Sequence, residues 1–357
     1  MREFRLGDRW VGAHHKPFII AEMSGNHNQS LERALQIVDA AAAAGVDALK
    51  IQTYTPDTMT ISSQREEFKV NDPAGLWQGR TLYDLYAEAQ TPWEWHEPIF
   101  ARCKQHNILG FSTPFDESAV QFLESLDVPF HKIASFENTD LPLIARVAKT
   151  GKPVIMSTGM ATISELHEAV TCLRDNGCQN FVLLKCTSTY PTSPENTNIL
   201  TIPHMRELFK CPLGLSDHTM GVGVAVASVA LGARVIEKHF TLCRADGGVD
   251  SAFSLEPAEL NLLVVETQRA WQSLGAVNYG GAKNEDKMRL FRRSIYAVRD
   301  LAAHEAFTKE NTRIIRPGLG LAPKHAATIY GARAKTAIAA GTPLDWTLVE
   351  LNGASPQ

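Results

Sequence analysis

Short apolar runs recur along roughly the first 240 residues, and each is followed by a stretch in which apolar positions return every three or four residues. That alternation predicts parallel strands joined by crossover helices. The strand-like runs are 18–23 (FIIAEM), 48–54 (ALKIQTY), 110–115 (GFSTPF), 130–135 (FHKIAS), 154–160 (VIMSTGM), 182–190 (VLLKCTSTY), 213–218 (LGLSDH) and 235–240 (VIEKHF). Eight such units predict an α/β fold of the (β/α)8, or TIM-barrel, type. Helices are expected over 30–44, 92–105, 117–125, 141–148, 163–175, 221–231 and 257–273. The first has a serine, Ser30, in capping position and Gly45 just past its end. The connection 55–90 is too long for a simple loop, so it reads as a lid over the barrel mouth. Beyond Asn284 the pattern changes to short strand-like runs punctuated by Gly and Pro, which predicts a second, small β-rich domain. The expected division is 1–284 and 285–357.

Strands buried on both faces have no use for polar residues, yet every run carries them at its carboxyl end, where barrels build active sites. They are Glu22; Lys50 and Gln52; Ser112 and Thr113; Lys132 and Ser135; Ser157 and Thr158; Lys185, Thr187, Ser188 and Tyr190; Ser216, Asp217 and His218; and Glu237, Lys238 and His239. All eight strand ends are expected to aim at one mouth, although any single Ser or Thr there could instead cap the following helix. Lys50 and Lys132 interrupt apolar runs, and two inward ammonium groups among hydroxyls suit a phosphate or carboxylate. His218 and His239 end neighbouring strands and could share a divalent ion with open coordination positions; the alternative is that either is a hydrogen-bonded or acid–base imidazole. Glu22 is the candidate base, or a salt-bridge partner of Lys50, which would hold it ionised. His27 and Asn28 are adequately explained by the helix start at Ser30.

Composition adds exclusions. With 44% hydrophobic and 21% charged residues and a net charge of -4, the chain has no basic surplus for nucleic acid. No apolar run is long enough to span a bilayer, and the start MREFRLGDRW lacks a signal-peptide pattern, so a cytoplasmic location is expected. The six cysteines have no zinc-site spacing and read as free thiols.

The segments FIIAEMSGNHNQSLERA, ALKIQTY, FSTPFD, KIASFENTDLPLI, STGMAT, CTSTYPT, GLSDHT and EKHFT resemble the sialic acid synthase family along the whole barrel. The wording AEMSGNHNQSL, LYDLYAEAQTPWEWH and RADGGVDSAFS is closer to the branch that makes pseudaminic acid than to the branch that makes N-acetylneuraminate. The stretch from SIYAVRDL to AAGTPL is similar to the antifreeze-like (β-clip, SAF) domain that closes these synthases. The resemblance implies condensation of phosphoenolpyruvate with an N-acetylated amino-sugar aldehyde, helped by a divalent metal: manganese, with magnesium or cobalt as alternatives. It implies that Lys50, Thr113, Lys132, Ser135, Ser157, Ser188 and Ser216 hold phosphoenolpyruvate and that His218 and His239 hold the metal. Gln52, Glu137, Tyr190 and Asp250 would line the sugar site, with Glu22 as the catalytic carboxylate. Ser188 departs from the family, which has asparagine there in the sialic acid enzymes; a changed sugar would explain it. The resemblance further implies a domain-swapped homodimer in which Arg316 reaches the sugar of the other copy. Rival readings are a Schiff-base pyruvate aldolase using Lys132 or Lys185, and a non-catalytic sugar-binding barrel. Trp77 and Arg80 are the expected lid residues over the sugar.

Overall fold

The computed structural model describes residues 3–71, 76–282 and 284–351. It parts into two compact units, Met1–Gly275 and Ala276–Gln357. An antiparallel hairpin, β1 (Phe4–Leu6) and β2 (Arg9–Val11), precedes eight parallel strands. These are β3 (Phe18–Glu22), β4 (Ala48–Thr53), β5 (Leu109–Pro114), β6 (His131–Ile133), β7 (Val154–Ser157), β8 (Phe181–Cys186), β9 (Leu213–Asp217) and β10 (Ala233–His239). They pair in chain order, and β10 closes on β3, with His239 opposite Glu22.

The barrel's two faces separate by the two-residue period of a strand. Ile19, Leu49, Ile133, Met156, Leu183, Leu215 and Ile236 point outward into one apolar cluster with the helices. Phe18, Ile20, Ala48, Phe111, Phe130, Ile155, Val182, Leu184 and Val235 point inward, and Phe4, Leu6 and Val11 of the hairpin join them. The hairpin thus plugs the amino-terminal end of the barrel. Continuing the inward parity towards the carboxyl ends reaches Glu22, Lys50, Gln52, Thr113, Lys132, Ser157, Cys186, Ser216, Glu237 and His239. An apolar layer below and a polar layer above therefore arise from one alternation.

Gly214 sits where this interior is tightest, because a Cβ there would lie 2.2 Å from the Val235 carbonyl oxygen and 2.5 Å from Leu184 Cδ2. Gly214→Ala is expected to lower stability by about 1–3 kcal/mol, read as a reduced midpoint in urea unfolding; an unchanged midpoint would show that β9 can shift at no cost.

The helices over 117–125, 141–148, 163–175 and 257–273 begin and end where the periodicity puts them. Ser30 caps Leu31–Ala44, its hydroxyl accepting from the Arg33 N–H, and Gly45 ends that helix at φ 90°. Other helices lie outside the expectations. Thr201–Phe209 has Pro203 in its first turn, where a missing N–H is tolerated, and buries Ile202, Met205 and Phe209. The connection 55–90 is more than a loop: it contains helices Pro56–Met59 and Leu82–Ala89 and an antiparallel bridge between Lys69 and Thr81. Its residues 72–75 lie outside the described set.

The second unit is built from β11 (Ser294–Ala297) paired with β12 (Thr312–Ile315) and β13 (Arg333–Ala334) paired with β14 (Val349–Glu350), all antiparallel. Its own core includes Ile295, Leu301, Phe307, Ile338 and Leu344. Among the described residues, no helix is long and apolar enough to cross a membrane.

Candidate active site

At the barrel mouth Glu22, Lys50, Lys132 and Glu237 lie together and buried. Glu22 Oε2 is 2.8 Å from Lys50 Nζ, and Oε1 accepts from the Gln52 amide at 3.0 Å. Lys50 donates to Thr113 Oγ1 at 3.1 Å, and Lys132 donates to Ser157 Oγ at 2.7 Å and to the Ile133 carbonyl at 3.1 Å. Glu237 stands between the two ammonium groups, 3.8 Å from Lys50 and 3.9 Å from Lys132, and accepts from Ser216 at 3.2 Å. Ser135 and Ser188 hydroxyls are 2.8 Å apart beside them. The structure thus brings Lys50, Thr113, Lys132, Ser157 and Ser216 into one network, with Ser135 and Ser188 paired at its edge.

Burial favours neutral carboxyls and amines, and proximity favours charges. At Glu22 burial prevails over the pull of Lys50, and the Glu237 charge adds to it, so its pKa lies above the usual carboxylate value. Lys50 pairs with Glu22 as expected and draws its pKa down, and burial more than offsets that pull. Glu237 goes the other way: burial would raise it, but Lys132 and Lys50 outweigh that and lower it. Burial depresses Lys132, while at Lys50 the two glutamates overcome burial and raise it. Glu237 is the residue sequence reasoning left without a role, although it lies two positions before His239 and so on the same inward face.

His218 and His239 meet edge-on with ring centroids 5.4 Å apart. His218 Nδ1 donates to the Thr187 carbonyl at 2.8 Å, and the ring also hydrogen-bonds the Cys186 side chain. His239 Nδ1 is buried without a hydrogen bond, 3.8 Å from Asp250 Oδ2. Burial, with His218, Lys50 and other nearby cations adding to it, keeps His239 neutral, which is the ligating form. Burial also acts against a charged His218, but Cys186, with the Thr187 carbonyl and Glu237 adding to it, outweighs burial and raises its pKa. Among the described residues no three His, Cys, Asp or Glu side chains form a metal-holding group. A two-imidazole site completed by water and substrate fits what is present.

Not every strand-end polar residue faces the mouth, a correction that strand parity explains. Ser112 bonds Thr53 at 2.6 Å on the outer face, and Lys238 pairs with Asp217 at 2.8 Å behind the histidines. Lys185 likewise alternates away from the interior and donates to the Cys186 carbonyl at 2.7 Å, so it has no approach to the mouth as a nucleophile. His27 is buried edge-on against Trp95, its ring centroid 5.5 Å away, and Asn28 sits in the left-handed region at the helix start.

Above the polar layer opens a cavity of about 500 Å³ lined by Gln52, Glu137, Tyr190, His239 and Asp250 among others. The Asp250 carboxylate accepts from Ser24, and the Tyr190 ring lies 4.4 Å from that of His218. Burial pushes Glu137 up to about 7. Trp77 lines this cavity too, but Arg80 does not: its guanidinium is held by Glu88 at 2.7 Å. Arg316 is exposed on the second unit.

The NeuB family model matches residues 37–279, and the SAF domain model matches residues 292–350. The chain is 44% identical to pseudaminic acid synthase of Campylobacter jejuni, over 92% of this chain and 95% of that protein. It is 40% identical to pseudaminic acid synthase of Helicobacter pylori, over 92% and 96%. A crystal structure of N-acetylneuraminic acid (sialic acid) synthetase from Leptospira borgpetersenii serovar Hardjo-bovis, in complex with citrate, superposes with a TM-score of 0.72. It is 32% identical and covers 80% of this chain and 95% of its own.

Proposed function

The chain belongs to the NeuB family, and we propose that it condenses phosphoenolpyruvate with 2,4-diacetamido-2,4,6-trideoxy-L-altrose and water, giving pseudaminic acid and phosphate. The observation that carries this reading is the pair of buried ammonium groups, Lys50 and Lys132, set among the Thr113, Ser157 and Ser216 hydroxyls at a barrel mouth that also holds two adjacent imidazoles. Such a floor suits a small molecule bearing both phosphate and carboxylate.

Lys50, Thr113, Lys132, Ser135, Ser157, Ser188 and Ser216 bind phosphoenolpyruvate and fix its C3 towards the sugar. Gln52, Glu137, Tyr190 and Asp250 orient the open-chain aldehyde. A divalent ion, manganese with magnesium or cobalt as alternatives, supplies Lewis-acid polarisation of that aldehyde when held by His218 and His239. As the C3–C bond forms, C2 becomes electron-poor, and Glu22 sits where a carboxylate can stabilise it. Glu22 then takes a proton from the water that adds to C2, a role suited to a carboxyl whose pKa is drawn upward, and phosphate leaves by C–O cleavage. The aldehyde oxygen gains the balancing proton. Two copies act as a domain-swapped dimer in which the exposed Arg316 of one reaches the sugar of the other.

The test is phosphate release from phosphoenolpyruvate with Mn2+, with the diacetamido sugar and N-acetylmannosamine offered in parallel and an EDTA control. Release with the diacetamido sugar alone, abolished by EDTA, is expected. Release with N-acetylmannosamine would move the reading to a sialic acid synthase, and silence with both would overturn it.

A further inference from the structure

The cavity over the strand ends has two chemically unlike parts. The barrel contributes Phe115, Ala134 and Phe136 and the polar groups Ser24, Gln52, Ser135, Glu137 and Asp250, and the mechanism above uses the last four of these. Segment 56–86 contributes Met59, Val70, Leu76, Leu82 and Leu85, whose side chains offer no hydrogen-bond partner, together with Trp77 and Tyr86. The segment is held in place on that side. The Val70 N–H donates to the Arg80 carbonyl at 2.8 Å, and Trp77 Nε1 donates at 2.9 Å to the carbonyl of Val249, next to Asp250 in the chain.

An apolar wall gives a sugar hydroxyl no partner, so each hydroxyl pressed against it loses its water without compensation. A methyl group in the same place gains by leaving water. The substrate proposed above carries methyl groups where a common hexose carries hydroxyls: one at the deoxygenated C6 and one on each acetamido group. We propose that the wall formed by Met59, Val70, Leu76, Leu82 and Leu85 reads those methyl groups, and that selection of a 6-deoxy, di-N-acetylated sugar resides in this wall rather than in the polar floor. This rests on the functional reading above and deepens it. A wall of this kind discriminates moderately: one hydroxyl added to a substrate that an apolar surface accepts costs about 100-fold in selection.

The test compares binding of the trideoxy sugar and its 6-hydroxy counterpart by calorimetry, with phosphoenolpyruvate affinity measured alongside, for wild type, Met59→Gln and Leu76→Gln. Leu76 is 47% exposed, so its replacement leaves the core intact. The wild type is expected to prefer the methyl sugar by about 10–100-fold, and each variant to lose about 10-fold of that preference while phosphoenolpyruvate affinity stays within twofold. No preference in the wild type, or a preference unmoved by both substitutions, would overturn the inference. A methyl preference that the variants erode, in a protein that releases no phosphate, supports the wall and sinks the catalytic reading instead, so the two failures are distinguishable.

Discussion

Glu22→Gln is expected to reduce kcat by about 10²–10⁴-fold while leaving the affinity for phosphoenolpyruvate within a few-fold of wild type. The amide keeps the shape of the carboxyl and can still meet the Gln52 side chain, but it can neither take a proton from water nor offset positive charge at C2. The pH profile separates this role from a structural one. Burial raises the Glu22 pKa above its ordinary 4.5, so a base at this position loses activity as pH falls through the raised value, and the acid limb of kcat should lie above that figure. In the variant that limb should vanish along with most of the rate. A structural role predicts a different result: a lower unfolding midpoint, with the limb retained in whatever activity remains. Phosphate release across pH, with unfolding measured on the same samples, decides between them.

Much of the barrel was legible because its signal is periodic. Helices such as Glu117–Ser125 and Pro257–Ser273 match their expected bounds because a cap begins each: Asp116 accepts from two backbone amides at the first, and Glu256 with Glu259 closes a capping box at the second. The plug at the barrel bottom was not legible. Phe4, Leu6 and Val11 lie in two three-residue strands, too short for an alternation to register, and only the closed barrel reveals what they fill. Leu82–Ala89 was hidden for another reason: its polar surroundings made the whole of 55–90 read as one loop, although Thr81 accepts from the Asp84 N–H as an ordinary cap does.

The site divides in the same way. Which residues gather at the mouth could be read from the strand ends, because a polar residue in a buried strand needs a reason. Which way each one faces required the register. Lys238 and His239 are neighbours in sequence and lie on opposite faces of β10, and Glu237 returns to the inner face between two lysines. Counting polar residues at strand ends treats the three alike, whereas counting by twos from the apolar inner layer separates them. Electrostatic sign was the least legible feature: Glu22 and Glu237 are both buried glutamates beside Lys50, yet their pKa values move in opposite directions because Glu237 has two ammonium groups to answer.

Lys238→Met is expected to destabilise the barrel by about 3–5 kcal/mol, more than any exposed ion pair in the chain could contribute. Lys238 and Asp217 side chains are each 1% exposed, 2.8 Å apart, and the ammonium also donates to the Thr219 carbonyl at 2.7 Å. Removing the lysine leaves the Asp217 carboxylate buried, with only the Thr219 amide and hydroxyl to satisfy it. Most of the loss is therefore the cost of that stranded charge rather than the net worth of the pair. The double variant Lys238→Met with Asp217→Asn should accordingly recover much of the stability, a non-additivity that urea unfolding of the single and double variants would read directly. Additive losses would mean the pair is not the cause. The pair joins β9 to β10 one residue before His218 on one strand and one residue before His239 on the other. If His218 and His239 hold a divalent ion as proposed, even a refolded double variant should show looser Mn2+ binding, because the clamp that fixes the spacing of the two imidazoles is gone while the imidazoles themselves remain.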